Sequence, residues 1–123
     1  MKQAILDTNF IISCIRNKID FFEEIKFMGM QILIPKQVIT ELKKIAVSKK
    51  SNSLKEEAKI SLEILEKNLF KEIDIKKRYV DKGIVNYAKK NKDIIVATLD
   101  RELKNKIKNA KLIIRGKKKL EIV

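Results

Sequence analysis

A chain of 123 residues suits one hydrophobic core and leaves no room for a second, and with 45% hydrophobic and 37% charged residues it is composed neither like a disordered segment nor like a membrane protein. With no histidine and one cysteine it cannot build a Cys/His zinc site, a histidine-based triad or an internal disulfide. The formal charge of +13 points toward a polyanion such as nucleic acid, and the competing explanation is a lysine- and isoleucine-rich composition set by an AT-rich genome or a high growth temperature.

In chain order, Gln3 to Leu6 predicts a first strand that runs into Asp7-Thr8-Asn9. Phe10 to Ile19 has apolar residues at helical spacing, with Asp7, Thr8 or Asn9 as its N-cap. Cys14, among Ile11, Ile12 and Ile15, reads as a small buried apolar residue. Asp20 to Met28 predicts a short helix closed by Gly29, and Gln31 to Ile34 a second strand. Pro35 then opens a helix where a missing N–H costs nothing, with Val38, Ile39, Leu42 and Ile45 along one face. Ser48 to Ser53 reads as an exposed loop.

Leu54 to Leu69 predicts a long amphipathic helix whose apolar residues core packing explains, with a dimer or partner contact as the alternative. Phe70 to Ile75 alternates as a strand with one wet face. Tyr79 to Lys90 is the next helix, followed by a buried central strand, Ile94 to Thr98, that runs into Leu99-Asp100. A helix from Asp100 to Lys108 and strands near Leu112 to Ile114 and Leu120 to Ile122 complete the series. Repeated βα units predict one domain over residues 1–123, with a mainly parallel sheet covered by helices on both faces. No apolar run approaches the roughly 20 residues of a spanning helix, and no signal peptide is legible, so a cytoplasmic protein without membrane contact is expected.

Placed on this map, the acids fall one to a βα unit. Asp7 follows the first strand, Glu41 lies in the second turn of the helix after the second strand, Asp81 starts the helix after the third, and Asp100 follows the central strand. Singly, Asp7, Asp81 and Asp100 read as helix caps or first-turn acids, and Glu41 as a partner of Lys43 or Lys44. As a set they stand near one edge of the sheet, where open α/β folds place their chemistry. Four carboxylates in one pocket repel and take up protons unless a cation joins them. Hard cations such as Mg²⁺ or Mn²⁺ accept a few carboxylates plus substrate phosphate, and they supply Lewis acidity and acidify water.

Asp7-Thr8-Asn9, Glu41 within Val38-Ile39-Thr40-Glu41-Leu42, Asp81 within Asp81-Lys82-Gly83-Ile84-Val85-Asn86-Tyr87-Ala88, and Val96-Ala97-Thr98-Leu99-Asp100-Arg101-Glu102-Leu103 together resemble the PIN-domain ribonucleases over nearly the whole chain. The resemblance implies a three-layer α/β/α sandwich with a mainly parallel central sheet and Mg²⁺- or Mn²⁺-dependent endonuclease activity on RNA. It implies that Asp7, Glu41, Asp81 and Asp100 are the catalytic and metal-site acids, and that Thr8, Asn9 and Thr98 orient them or a water. Lys82, Arg101, Arg115 and Lys117 are candidate RNA contacts. Arg101 and Glu102 read equally well as exposed first-turn charges.

Two branches of the family compete. The stretch from Ile94 through Arg101-Glu102-Leu103-Lys104 to Ile113-Ile114-Arg115-Gly116-Lys117 looks like the nucleases of small-subunit ribosomal RNA processing, which implies a pre-ribosomal partner. Free-standing PIN domains of this size are also similar to toxins that an antitoxin neutralises and that usually form homodimers. A PIN-like module that binds RNA without cleaving it is the non-enzyme alternative. Lys82 departs from the ribosomal branch, where a second acid often stands beside the first. A receiver domain would need adjacent acids after the first strand, and an aspartate-nucleophile phosphatase an acid where Asn9 stands.

Overall fold

In the computed structural model, which describes residues 1–123, strands and helices alternate in the expected order. They are β1 (Lys2–Leu6), α1 (Thr8–Arg16), α2 (Phe21–Phe27), β2 (Met30–Pro35), α3 (Lys36–Ala46), α4 (Asn52–Glu66), β3 (Lys71–Ile73), α5 (Val80–Lys90), β4 (Ile95–Ala97), α6 (Arg101–Asn105), β5 (Lys111–Arg115) and β6 (Lys119–Ile122). The strands form one sheet in the order β3-β2-β1-β4-β5-β6, parallel except for β6, which returns antiparallel along β5.

The apolar runs explain the centre of this sheet. Ala4, Ile5 and Leu6 of β1 and Ile95, Val96 and Ala97 of β4 are all buried, the unbroken burial of strands covered on both faces. From β1 the chain moves outward to β2 and β3, then crosses back to lay β4 on the other side of β1. The C-terminal ends of β1 and β4 therefore flank the point where the winding reverses, the usual ligand crevice of open parallel sheets. Helices α1, α3 and α4 pack on one another. Right-handed crossovers put α5 and α6, whose connections run the other way across the sheet, on the opposite face.

Several boundaries differ from the sequence reading. Pro35 ends β2 and sits at the N-cap of α3 instead of inside the helix. Its missing N–H is harmless there too, because a cap residue donates no intrahelical bond. Helix α4 starts at Asn52, capped by the Ser51 hydroxyl, and ends at Glu66. Asn68 stops it by donating its side-chain amide to Ile64 O at 2.9 Å, which leaves Leu69 97% exposed instead of in the core stripe. Only Lys71–Ile73 of the third strand pairs, along β2. Helix α6 closes at Asn105, and Ile107 then turns inward to be buried.

Asn109, unremarked in the sequence, fixes the opposite edge of the sheet. Its buried side-chain amide lies 3.0 Å from the carbonyls of Asn91 and Ile94 and 3.2 Å from that of Ala88. The single residue thus pins the α5–β4 turn to the start of β5. Glu24 of α2 accepts the Leu120 N–H at 3.1 Å and ties the edge strand β6 to the body of the fold.

Candidate active site

The β1–β4 register decides which side chains meet. Ala4, Ile5 and Leu6 stand opposite Ile95, Val96 and Ala97, so the next pair out is Asp7 and Thr98, and the Asp7 N–H still donates to Ala97 O at 3.0 Å. One oxygen of Asp7 accepts the Thr8 N–H at 2.8 Å and the other accepts the Thr98 hydroxyl at 2.9 Å. That hydroxyl in turn accepts the Asp100 N–H at 3.1 Å. Thr98 is thus a bridge between the acids that end two adjacent strands.

The helices position the remaining acids. Asp7 is the N-cap of α1, and Asp100 is the N-cap of α6, accepting from the N–H groups of Glu102 and Leu103. Asp81 lies in the first turn of α5. In Asp7 and Asp100 alike, the cap uses one carboxylate oxygen and fixes the direction of the other. Glu41, half-buried on α3, is in none of the three ion pairs, which join Arg16 to Glu57, Lys36 to Asp74 and Arg115 to Glu121. The sequence alternative of a Glu41–Lys pair is therefore not realised.

The charges of these acids act on one another. Asp7 is 4% exposed, and its carboxyl is pushed up to about 6, first by removal from water and further by the charges of Asp81 and Glu41, against the lowering hydrogen bonds from Thr98 and Thr8. Asp81 is also raised, by partial desolvation first, then by Asp100 and Glu102, with Lys106 opposing. Asp7 feels Asp81, and Asp81 feels Asp100, so the acids of three βα units share one electrostatic field.

Asp81, Asp100 and Glu102 line a single pocket of ≈ 210 Å³, together with Lys77, Lys82, Asn86 and Lys106. Asp7 lies behind it, connected through Thr98, and Glu41 reaches Asp7 by its field without lining the pocket. Glu102 is thus separated from Arg101, which is exposed and outside the pocket. Lys77, Asn86 and Lys106 escaped the sequence reading. Helical spacing from Lys82 to Asn86, four residues on, was the signal for one of them.

The other expected positions scatter. Asn9 is exposed on α1, outside the pocket. Thr8 is buried, and its hydroxyl is the one buried side-chain polar atom without a partner, an oxygen donor standing beside Asp7. Arg115 and Lys117 sit at the β5–β6 turn. Because β5 runs parallel to β4, that turn is on the same edge of the sheet as the acids, with Arg115 already paired to Glu121.

The donor set, oxygen throughout with no thiolate or imidazole, suits a hard divalent cation. No three of the acids stand close enough to ligate one ion together. The arrangement fits an ion held by one or two carboxylates and otherwise hydrated, the usual manner of Mg²⁺, better than an all-protein cage.

Residues 4–117 match the family described as PIN like domain. The chain is 34% identical to Ribonuclease VapC4 of Methanocaldococcus jannaschii over 99% of its own length and 97% of that protein's. Among solved structures, the PIN domain endonuclease Utp24 superposes with a TM-score of 0.80 at 28% identity, covering 98% of this chain and 90% of that one. The VapBC2 structure from Rickettsia felis, determined with a DNA fragment from its promoter, shares the fold at a TM-score of 0.53 and 14% identity over 89% of this chain and 98% of that one. With the fold, the ordered acids and these relatives in agreement, the chain belongs to the PIN-domain ribonuclease family.

Proposed function

We propose that this chain is an endoribonuclease that hydrolyses RNA phosphodiester bonds at the C-terminal edge of β1 and β4, with Mg²⁺ or Mn²⁺ as cofactor. The observation that carries this reading is the Thr98 hydroxyl, which joins Asp7 to Asp100 at the point where the sheet winding reverses. One or two of Asp7, Asp81 and Asp100 would hold the ion and water would complete its shell, with Glu41 adding charge behind Asp7. When bound, such an ion supplies Lewis acidity toward a phosphate oxygen and acidifies water.

The chain's own groups do the rest. Lys77, Lys82 and Lys106 place positive charge at the pocket wall, where a phosphodiester would otherwise face the uncompensated charges of Asp81, Asp100 and Glu102. Asn86 offers an amide to the same space. Asp7 ionises fully only above about pH 6, so the edge gains its full negative charge, and its full capacity to hold a dication, toward neutral pH.

The motif stretch from Ile94 to Lys117, with the match to the Utp24 endonuclease, favours a structured RNA target of the ribosomal-precursor kind and a pre-ribosomal partner. The kinship with Ribonuclease VapC4 supports a second setting, a toxin ribonuclease restrained by an antitoxin. The test is incubation of the protein with labelled single-stranded and structured RNA in Mg²⁺, Mn²⁺ or EDTA. Cleavage with either ion and none in EDTA is expected. RNA binding without cleavage in any metal would overturn the nuclease reading in favour of a binding module. Growth arrest on expression, relieved by the product of an adjacent small reading frame, separates the toxin setting from the ribosomal one.

A further inference from the structure

Tyr79 serves neither the helix cap nor the core with its side chain. It stands at the N-cap position of α5, where Ser, Thr, Asp or Asn would satisfy a helix N–H, yet its side chain makes no capping bond. It is 62% exposed, so it contributes little to the core. What surrounds it is charge. The Arg78 guanidinium carbon and the Lys82 ammonium each lie 5.8 Å from the ring centroid, within cation–π range.

The position of the ring gives this cluster meaning. Lys82 lines the acid pocket, as do Lys77 and Asp81 on either side of Tyr79 in sequence. The ring is therefore one side chain away from the pocket wall, at its rim, flanked by two cations. An exposed aromatic face with cations beside it, next to a phosphate-sized pocket, is the construction that binds single-stranded nucleic acid. The cations track the backbone while a base stacks on the ring, without sequence preference because every base has a π-face.

We infer that Tyr79, with Arg78 and Lys82, forms a stacking platform for an unpaired nucleobase next to the phosphate held in the acid pocket. The inference rests on the nuclease reading for the identity of its ligand. It makes the substrate class single-stranded RNA, or an unpaired stretch of a structured one, because bases within a duplex have no free face to offer. It also gives Lys82 a role: in place of a further acid, the lysine orders the ring and meets the neighbouring phosphate.

The chain contains no tryptophan, so Tyr79→Trp installs a unique fluorophore at the platform. In EDTA, where cleavage does not enter, a short single-stranded oligoribonucleotide of mixed sequence is expected to quench its emission. Heparin, a polyanion without bases, and duplex RNA are expected to leave the emission unchanged at saturating concentration. Tyr79→Ala should bind the single strand roughly tenfold more weakly, in line with alanine replacement of stacking residues, and bind heparin as the wild type does. Absence of quenching, equal quenching by heparin or duplex, or unchanged affinity of Tyr79→Ala for the single strand would each overturn the platform. Quenching by a protein that cleaves nothing in any metal would overturn the nuclease reading and leave the platform standing, so the two failures are distinguishable.

Discussion

At the residue scale the informative group is Asp7, a carboxyl buried at a strand end beside other carboxyls. Its folded pKa of about 6 lies above the ordinary value of about 3.9 that it takes in the unfolded chain. Between those values the folded protein holds a proton that the unfolded chain has lost, so stability falls as pH rises through that window and levels off above about 6. The full effect is on the order of 3 kcal/mol at most. Asp7→Asn carries no such proton. Its stability relative to wild type, from urea melts in EDTA, should improve from pH 4 to pH 7 by up to that amount. Parallel pH profiles for the two proteins would contradict the burial and charge crowding assigned to Asp7. Added Mg²⁺ or Mn²⁺ at pH 7 should stabilise wild type and leave Asp7→Asn nearly unmoved, since an ion that binds only the folded state stabilises it by mass action.

At the element scale the site depends on how α5 is seated, because that helix carries Asp81, Lys82 and Asn86. Gly83 lets it approach the buried Ile75: a Cβ there would overlap the Ile75 side chain, with Cγ1 at 2.7 Å. Alanine at this position gains helix propensity of about 1 kcal/mol and loses more to overpacking, typically about 1–3 kcal/mol. Gly83→Ala should therefore lower stability, and the loss should shrink in an Ile75→Val background in a double-mutant cycle. Equal losses in both backgrounds would show that the contact does not set the helix position. None of this was legible in the sequence, where Gly83 is only a glycine in a helical pattern. Close approach depends on the partner element, and Ile75 belongs to a loop whose path periodicity does not encode. The order of elements was legible, since the buried strands of Ala4–Leu6 and Ile95–Ala97 are continuous apolar runs and the caps Asp7, Asp20 and Asp100 sit where capping chemistry requires them. The ends of α4 and α6 were not, because the Asn68 side chain folds back onto Ile64 O where the apolar spacing runs on to Leu69, and α6 gives way where Ile107 turns into the core.

At the scale of the whole molecule, charge and topology work together. Of the 29 Lys and Arg residues, three are held in ion pairs, and Lys77, Lys82 and Lys106 line the pocket at the edge that concentrates acids. The sequence order of Asp7, Glu41, Asp81 and Asp100 pointed to that edge, but the division between Asp81, Asp100 and Glu102 in the pocket and Asp7 behind it required the β1–β4 register and the Thr98 bridge. Two of the three lysines of the pocket, Lys77 and Lys106, lay hidden among many others. If they meet phosphate, log K for single-stranded RNA should fall linearly with log salt, and Lys77→Ala and Lys106→Ala should each flatten the slope by about 0.7. An unchanged slope would place the RNA elsewhere. The central claim, that carboxylates from separate βα units act as one hydrolytic site, is tested most directly by single-turnover cleavage of RNA in Mn²⁺ by wild type, Asp7→Asn, Asp100→Asn and, as a control before β4, Asp93→Asn. Asp7→Asn and Asp100→Asn are expected to lose on the order of a hundredfold or more, as removal of one preorganised electrostatic group does, while the control cleaves at the wild-type rate. Wild-type rates for Asp7→Asn and Asp100→Asn would contradict it.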